Sequence, residues 1–186
     1  MSAAKLSGHL LLATPQIDDG IFFRSVILLL HHDQDGAQGV IVNLPLAAEV
    51  EAVLPGWGSV GVASRQLFHG GPVEGDSALG LAAVAEGLAP PPGVRPILAG
   101  LALVDLDGDP QELRSRVLDL RVFAGYAGWS SGQLEAEIAS GSWYVVERES
   151  ADPFAPGGLE LWRRILARQR GPLALVASYP RDPGQN

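Results

Sequence analysis

The sequence predicts an α+β protein folded as a single domain over residues 1–186. A chain of 186 residues with 47% hydrophobic content suits one ordinary domain with one sizeable core. No internal repeat or low-complexity linker divides it, and the proline-rich break at 90–92 is short enough to be a loop. Strand-length apolar runs outnumber helical patterns and arrive in groups, so regular β-α-β alternation is not followed.

The first half of the chain is predicted to be mostly β-strand. The runs "HLLLA" and "RSVILLLHH" are apolar and of strand length, and the second leads through "DQDGAQ" into "GVIVN" as a β-hairpin with Asp35-Gly36 at its turn. "RQLFHGGPV" predicts a strand followed by a Gly-Gly-Pro turn. "SALGLAAV" fits either a strand or a helix, and "PILAGLALVDL" predicts one buried strand.

Helices and strands mix in the second half. A capping Asp109, followed by proline and then an acid, predicts a short helix to about Leu118. "LRVFAGY" predicts a strand. Leu134 and Ile138 lie on one face of a helix that Gly141 ends. "SWYVVERE" predicts another strand, "GLELWRRILARQR" an amphipathic helix, and "LALVASY" a final strand before a polar tail.

Composition excludes several classes of function. The formal net charge of −8 has the wrong sign for a protein that wraps a phosphate backbone, so we expect no specific DNA binding. The longest aliphatic run, residues 26–30, is far too short to span a membrane, and the N-terminal apolar stretch is too short for a secretory signal. The chain has no cysteine, which is compatible with a reducing cytosol. We therefore expect a cytoplasmic protein with no membrane partner.

Four arginines are the local exception to this acidic balance. They lie at the end of the predicted amphipathic helix: Arg163, Arg164, Arg168 and Arg170. Such a cluster could bind an anion. We favour the simpler interpretation, in which cations in the last helical turn offset the helix dipole and solvate the exposed face.

Ser130 lies in a Gly-x-Ser-x-Gly pattern, as the nucleophile of a hydrolase would. Such an enzyme needs an acid and then a histidine later in the chain, but all four histidines (His9, His31, His32 and His69) precede Ser130. Ser130 and Gln133 instead have the spacing of a helix capping box. We favour the cap, and interpret Trp129 between Gly125, Gly128 and Gly132 as an architectural anchor; the alternative is a ligand-stacking ring.

Metal and cofactor patterns are weak throughout the chain. The aspartate-rich segments 33–36 and 105–109 lack the calcium-loop ligands at the first and twelfth positions. The Gly-Gly-Pro segment lacks both the phosphate-loop Lys-Ser/Thr and the dinucleotide spacing. Adjacent strand residues such as His31 and His32 face opposite sides and cannot chelate one metal together. We expect no cofactor and no metal.

Several segments together resemble the uncharacterised bacterial YqgE/AlgH family. They are "GHLLLATPQIDDGIFFRSVILLLHHDQDGAQGVIVNLP", "HGGPV", "RVFAGYAGWSSGQLEAEI", the following Trp143 and the closing "YPRDPGQN". The matching positions include Asp19, His32, Asn43, Gly70, Gly71, Pro72, Val73, Gly125, Tyr126, Trp129, Gln133, Leu134 and Glu135. The chain departs from the pattern at Ala78-Leu79-Gly80, where a Phe-Val-Leu-His-like segment is usual. A site that uses that histidine is in doubt here.

The resemblance implies a bent, mixed and partly barrel-like sheet flanked by helices, with no established activity. One branch of the family is named for a proposed role in transcriptional regulation. Two classes of function remain. The first is a regulatory module that binds a small molecule or protein, with a candidate site at His32, Asn43, Trp129, Gln133 and Glu135. The second is an enzyme that uses His32 with Asp19 or Glu135 as acid and base. We favour the first.

Overall fold

The structure, a computed structural model, describes residues 5–181; the "DPGQN" end of the last family segment, and with it the predicted polar tail, lies outside them. The strands are β1 Leu10–Ala13, β2 Val26–Asp33, β3 Gly36–Ile41, β4 Pro45–Glu49, β5 Gln66–His69, β6 Val73–Ala83, β7 Val94–Leu98, β8 Leu101–Val104, β9 Asp119–Ser130 and β10 Trp143–Val146. The helices are α1 Val50–Val53, α2 Pro110–Leu113, α3 Gln133–Ala139, α4 Leu159–Ala167 and α5 Pro172–Val176, and short 3-10 turns cover Trp57–Ser59 and Asp152–Phe154.

The described strands form one curled mixed sheet in the order β10-β1-β2-β3-β9-β6-β8-β7. All pairs along this path are antiparallel, whereas β5 pairs in parallel with β9 and antiparallel with β4. The long strand β9 connects the two halves, because its C-terminal part pairs with β3 and its N-terminal part with β6. The α+β class and the bent mixed sheet with flanking helices are confirmed.

Strand β1 and the parts of β2 and β3 away from their shared turn are buried on both faces, which explains their nearly continuous apolar runs. Alternate residues such as Leu28 and Val40 face a core that contains Trp162 and Ile165 of α4. Their neighbours on the strands, such as Ile27, face a second core closed by α3. A third core lies beneath α1 and α2 at the other end of the sheet. The side-chain period of two therefore directs alternate buried residues of these strands to one core or the other.

The Gly-Gly-Pro turn exists because two backbones cross there. A Cβ atom on Gly70 would overlap the carbonyl oxygen of Gly125, and a Cβ on Gly71 would overlap the backbone of Tyr126. Gly71 and Gly125 also have φ values of 155° and 71°, which L side chains rarely adopt. The predicted Gly-Gly-Pro turn is therefore present, and its backbone packs directly against the backbone of β9 at Gly125 and Tyr126.

Some predicted elements are wrong. "PILAGLALVDL" forms a hairpin, β7 and β8, with Ala99-Gly100 at the turn, instead of one strand. The helix capped by Asp109 ends at Leu113 and not near Leu118, although the Asp109 side chain does accept the N–H of Gln111 at 2.8 Å. "LALVASY" carries most of the helix α5 instead of a strand. "SALGLAAV", whose pattern fits either a strand or a helix, lies largely in strand β6.

Strand β9 also runs further than predicted. It continues through Gly125 and Gly128 to Ser130, and the turn into α3 is only Ser131-Gly132. Within residues 5–181, no helix is both long and apolar enough to cross a membrane.

Candidate functional site

His32 and Glu135 meet in space although they are 103 residues apart in sequence. The two residues hydrogen-bond between His32 Nε2 and Glu135 Oε1 at 2.8 Å, joining β2 to α3. His32 Nδ1 accepts the backbone N–H of Leu6 at 3.1 Å, so the ring proton lies on Nε2 and is donated to the carboxylate. The His32 side chain is only 2% exposed, whereas that of Glu135 is 40% exposed. Both ring nitrogens are thus engaged within the protein.

The Glu135 carboxylate is held in its charged form. It accepts hydrogen bonds from its own backbone N–H and from His32, and these lower the pKa of Glu135 below its ordinary value. A carboxylate on the first turn of a helix is also favoured by the helix dipole. The pair therefore links a charged surface carboxylate to a buried imidazole.

Trp129 and Gln133 belong to a second cluster, centred on Glu137 of α3. Glu137 Oε2 accepts the indole N–H groups of Trp129 at 2.9 Å and Trp143 at 2.8 Å. Gln133 Nε2 donates to Glu137 Oε1 at 3.0 Å. Trp129 is 8% exposed, packs beside Leu134 and meets the Trp143 ring edge to face at 6.2 Å. The predicted burial of Trp129 between β9 and α3 is confirmed.

Ser130 is the exposed last residue of β9, and the N-cap of α3 is Gly132. Half of the predicted capping box is present, because Gln133 Oε1 accepts the Ser130 backbone N–H at 3.0 Å. The reciprocal cap is not formed, since the Ser130 hydroxyl also points to Gln133 Oε1, at 3.2 Å. The strand continues through Ser130 where a nucleophile elbow would need a sharp turn.

Asn43 lies at the other end of the β2–β3 hairpin from His32. Its Oδ1 accepts the N–H of Val26 at 2.8 Å, and its Nδ2 donates to the carbonyl of Arg24 at 2.9 Å. The side chain is 2% exposed. The structure therefore brings together four of the five predicted site residues and separates Asn43. The Asn43 side chain instead hydrogen-bonds the end of β3 to the start of β2. That these residues bind a ligand stays a prediction.

Asp19 lies in the exposed loop before β2. The loop that contains Asp19 enters β2 at Val26, whereas His32 lies near the other end of the strand. The six-residue step from Val26 to His32 spans roughly 20 Å, which places Asp19 and His32 at opposite ends of β2. Of the two proposed acid–base pairs, only His32 with Glu135 is brought together. Within the described residues, no group of three His, Cys, Asp or Glu side chains has the arrangement of a metal site.

Two open cavities on the sheet surface share Gln38 and Tyr126, and together they form what we call the groove. One has a volume of about 740 Å³ and extends over β6, β7 and β8; the other, of about 420 Å³, extends over the β2–β3 hairpin and the end of β9. The groove runs over the face of β3 and β9 opposite α3. In β9, Tyr126 and Gly128 line the groove, and Trp129, which packs with Leu134 of α3, also contributes to the lining.

The groove carries more negative than positive charge. Its lining includes the carboxylates Asp33, Asp35, Glu74 and Asp105, the cation Arg95, and His31, which pairs with Asp33 at 2.7 Å. Hydrogen bonds from the backbone of Asp35 and from His31 lower the pKa of Asp33, which keeps that carboxylate charged. Apolar side chains such as Leu79 and Leu103 complete the floor.

A bulge in β6 shapes one wall of the groove. Between Val73 and Ala78 this strand carries extra residues relative to β9, and Glu74 within the bulge has a positive φ of 49°. The same wall contains Ala78, Leu79 and Gly80, the segment where the sequence departs from the family pattern. The departure therefore falls on the lining of the groove.

The C-terminal arginines have separate structural roles. Arg168 makes a bidentate ion pair with the buried Asp152 at 2.7 and 2.5 Å, and Arg164 donates to the Pro156 carbonyl. The hydrogen bonds and charge of Asp152 raise the pKa of Arg168. Arg168 is exposed at the C-terminal end of α4, as the solvated-face interpretation expects, and in addition it ties α4 to the turn before it.

A family model described as AlgH-like (DUF179) matches residues 10–174. A UPF0301 protein of Streptomyces avermitilis is 46% identical over 186 residues, covering 98% of this chain and 96% of that protein. One from Mycobacterium tuberculosis is 40% identical over 182 residues, covering 97% and 90%. A crystal structure of a protein from Corynebacterium diphtheriae has a TM-score of 0.86 at 31% identity, covering 96% of this chain and 95% of the other. The solution structure of the AlgH protein from Pseudomonas aeruginosa has a TM-score of 0.70 at 26% identity, covering 97% of each chain.

Proposed function

Because the chain belongs to the AlgH-like family, as its sequence resemblance predicted, and no specific molecular function is established for that family, we propose a function from the geometry of the groove. The protein is a binding module that takes a small, positively charged ligand there. The observation that carries this proposal is an open concave site, of the volume a metabolite needs, with four carboxylates on its lining. Carboxylates around a concave surface concentrate cations.

The predicted site residues support the groove from behind. Trp129 is one residue from the groove-lining Gly128, and His32 is one residue from His31, so a shift of either anchor displaces its neighbour on the groove side. Glu135 and Gln133 hold these anchors from α3, directly or through Glu137. We propose that these four residues position the groove, and that Asn43 fixes the far end of the hairpin.

The wall at residues 78–80 gives this chain its own ligand preference. A bulkier segment with a histidine would occupy space that the small, exposed Ala78 leaves open, and it would add a titratable donor. We expect the ligand of this chain to be larger at that wall than the ligand of a relative with the usual segment.

The enzyme alternative has one favourable observation, the His32–Glu135 hydrogen bond. A general base must reach a substrate proton with a free nitrogen, whereas both nitrogens of His32 bond to protein groups and the ring is buried. The geometry therefore favours a structural hydrogen bond that holds α3 against β2 over a catalytic acid–base pair.

We propose that the module does not act by specific binding to duplex DNA and that it functions in the cytoplasm. A net charge of −8 opposes a phosphate backbone, and two of the C-terminal arginines are occupied by protein acceptors. A gel shift at about 0.15 M salt tests this. A sequence-selective complex that persists at that salt concentration would contradict it.

The groove proposal is tested by a thermal-shift screen of amines, neutral metabolites and anions at constant ionic strength. A bound amine at about 100 times its Kd stabilises the native state by about 2.7 kcal/mol and raises Tm. Gln38→Trp fills the centre of the groove and should abolish this shift, whereas Gln111→Trp, the same change at an exposed site on α2, should leave it intact. Amine binding that survives Gln38→Trp, or hits confined to anions and proteins, would refute the proposal.

A further inference from the structure

Arg24 is a buried cation in the turn before β2. It is 4% exposed, and its φ of 50° is unusual for a residue with a side chain. The guanidinium lies 5.3 Å from the Phe23 ring centroid and 4.9 Å from that of Trp162. Its Nη2 donates to the Tyr179 carbonyl at 2.8 Å. The aromatic contacts and the single hydrogen bond fix the position of the group.

The other terminal nitrogen of Arg24 is unsatisfied. Nη1 is buried and has no hydrogen-bond partner among residues 5–181. In Arg121, which is also buried, both terminal nitrogens have acceptors, because Nη1 and Nη2 donate to the carbonyls of residues 42, 153, 154 and 155, and only Nε lacks a partner among the described residues. An unmet donor on a buried cation is costly, so a missing acceptor is expected at Arg24.

A small cavity lies against the Arg24 side chain. Its volume is about 30 Å³, more than the roughly 10–15 Å³ that one water molecule needs, so it has room for a water-sized group, such as one oxygen of an anion, but not for a whole metabolite. Arg181 and Asp18 are on its lining. Neutral donors at this cavity are already used, since Trp162 Nε1 donates to Ala13 and the Thr14 hydroxyl to Gly141.

The charges around the cavity are mostly positive. Burial, followed by the charges of Arg163 and Arg181, lowers the pKa of Arg24, whereas Glu160 acts in the opposite direction. Arg163 Nε is likewise buried without a partner in the described part of the chain. Arg181 is 60% exposed and lies 3.5 Å from Glu160. Two guanidinium groups, Arg24 and Arg181, and one carboxylate, Asp18, therefore line the cavity, while Arg163 and Glu160 act on the charge of Arg24 from outside it.

We propose that this cavity is an anion site, in which Arg24 Nη1 and Arg181 bind an oxyanion head, either a phosphate or a carboxylate. Guanidinium groups bind both oxyanions through charge-assisted hydrogen bonds. The site is separate from the groove, because it lies between the turn before β2 and α4. The protein thus has an anionic ligand in addition to the cationic ligand of the groove.

The test is a titration of the full chain with inorganic phosphate, and separately with acetate, against sodium chloride at equal ionic strength, monitored by Tm. Phosphate or acetate should raise Tm in a saturable way, and the anion that does so identifies the head group. Arg181→Gln should weaken the apparent affinity roughly tenfold, the loss of one charge-assisted hydrogen bond. Arg170→Gln makes the same charge change at an exposed residue beyond α4, and should have no effect.

Two results would overturn the proposal. The first is a response to both anions that equals that of sodium chloride, or that is the same in Arg181→Gln as in the parent, since phosphate also stabilises proteins by exclusion from their surface. The second is a saturable rise in Tm with phosphate or acetate that is seen in an Asp182→Asn variant and not in the parent. That result would mean that the Asp182 carboxylate, and not an added anion, accepts the hydrogen bond of Arg24 in the parent protein. Arg181 is exposed, so its variant should fold even if substitutions of Arg24 do not.

Discussion

Replacing Trp129 by alanine should be among the most destabilising single changes in this protein. The indole is 8% exposed and packs in the core between the sheet and α3. It meets Trp143 edge to face and donates its N–H to Glu137. Trp129→Ala removes the apolar contacts, the aromatic pair and one hydrogen bond at once, and leaves a cavity under α3.

The expected cost is about 4–5 kcal/mol. Truncating a buried tryptophan costs about 3–5 kcal/mol through lost burial and the residual cavity, and the aromatic pair places this case in the upper part of that range. The hydrogen bond adds little, because Glu137 keeps the donors of Trp143 and Gln133. Trp129→Phe keeps most of the ring and loses the N–H, so it should cost about 1–2 kcal/mol.

The assay is urea unfolding followed by far-UV circular dichroism, since the chain has four tryptophans and their fluorescence would report several environments together. With a slope near 2 kcal/mol/M, Trp129→Ala should lower the midpoint by roughly 2 M. Trp129→Phe gives a measurable value if the alanine variant does not fold. An alanine variant that melts with the parent would refute the anchor.

Three further changes follow from other contacts. Asp152→Asn weakens the charged hydrogen bonds between the buried Asp152 and the partly exposed Arg168, and should cost about 2 kcal/mol in a urea melt; a loss below about 0.5 kcal/mol would contradict a structural pair. The folded-state pKa of Glu135 is lowered, so its contribution is present above the ordinary pKa near 4.5 and is lost as pH falls through the folded value. Glu135→Gln should therefore cost at most about 1 kcal/mol at pH 7, because the carboxylate is 40% exposed, and progressively less as the pH falls below 4.5; a stability difference between variant and parent that is the same at every pH would contradict this. Gly71→Ala forces a side chain into the β9 backbone and should prevent soluble expression, whereas Gly132→Ala, with open space around it, should cost only about 1–2 kcal/mol of αL strain; equal expression and Tm would refute the crossing.

Local sequence signals predicted the fold where burial has a clear period. The runs that became β1, β2 and β3 were recognisable because both faces are buried. "LALVASY" was misread because a short apolar run does not distinguish a strand from a helix; Gly171 followed by Pro172 at the first helical position was the available signal. The β7–β8 turn was missed because Ala-Gly is a weak turn signal inside an apolar run.

The site was only partly predictable, because its contacts are long-range. Sequence selected His32 and Glu135 through the family resemblance, but their pairing across 103 residues depends on how α3 packs on β2. Glu137 was missed, although its spacing of four from Gln133 on a helix could have suggested the contact. The groove could not be seen in the sequence, since strands distant in the chain line it and a bulge in β6 shapes it.

The most direct test of the proposed function is to map a bound amine by amide chemical-shift perturbation in a ¹⁵N-labelled protein. The groove proposal predicts that shifts concentrate at lining residues such as Gln38, Gly125 and Gly128, with smaller changes at Gln133 and Ala136 on α3 behind the sheet. Shifts that instead concentrate on α3, with Gln38 and Gly128 unmoved, would contradict the account and place the binding site on the helix side of the sheet.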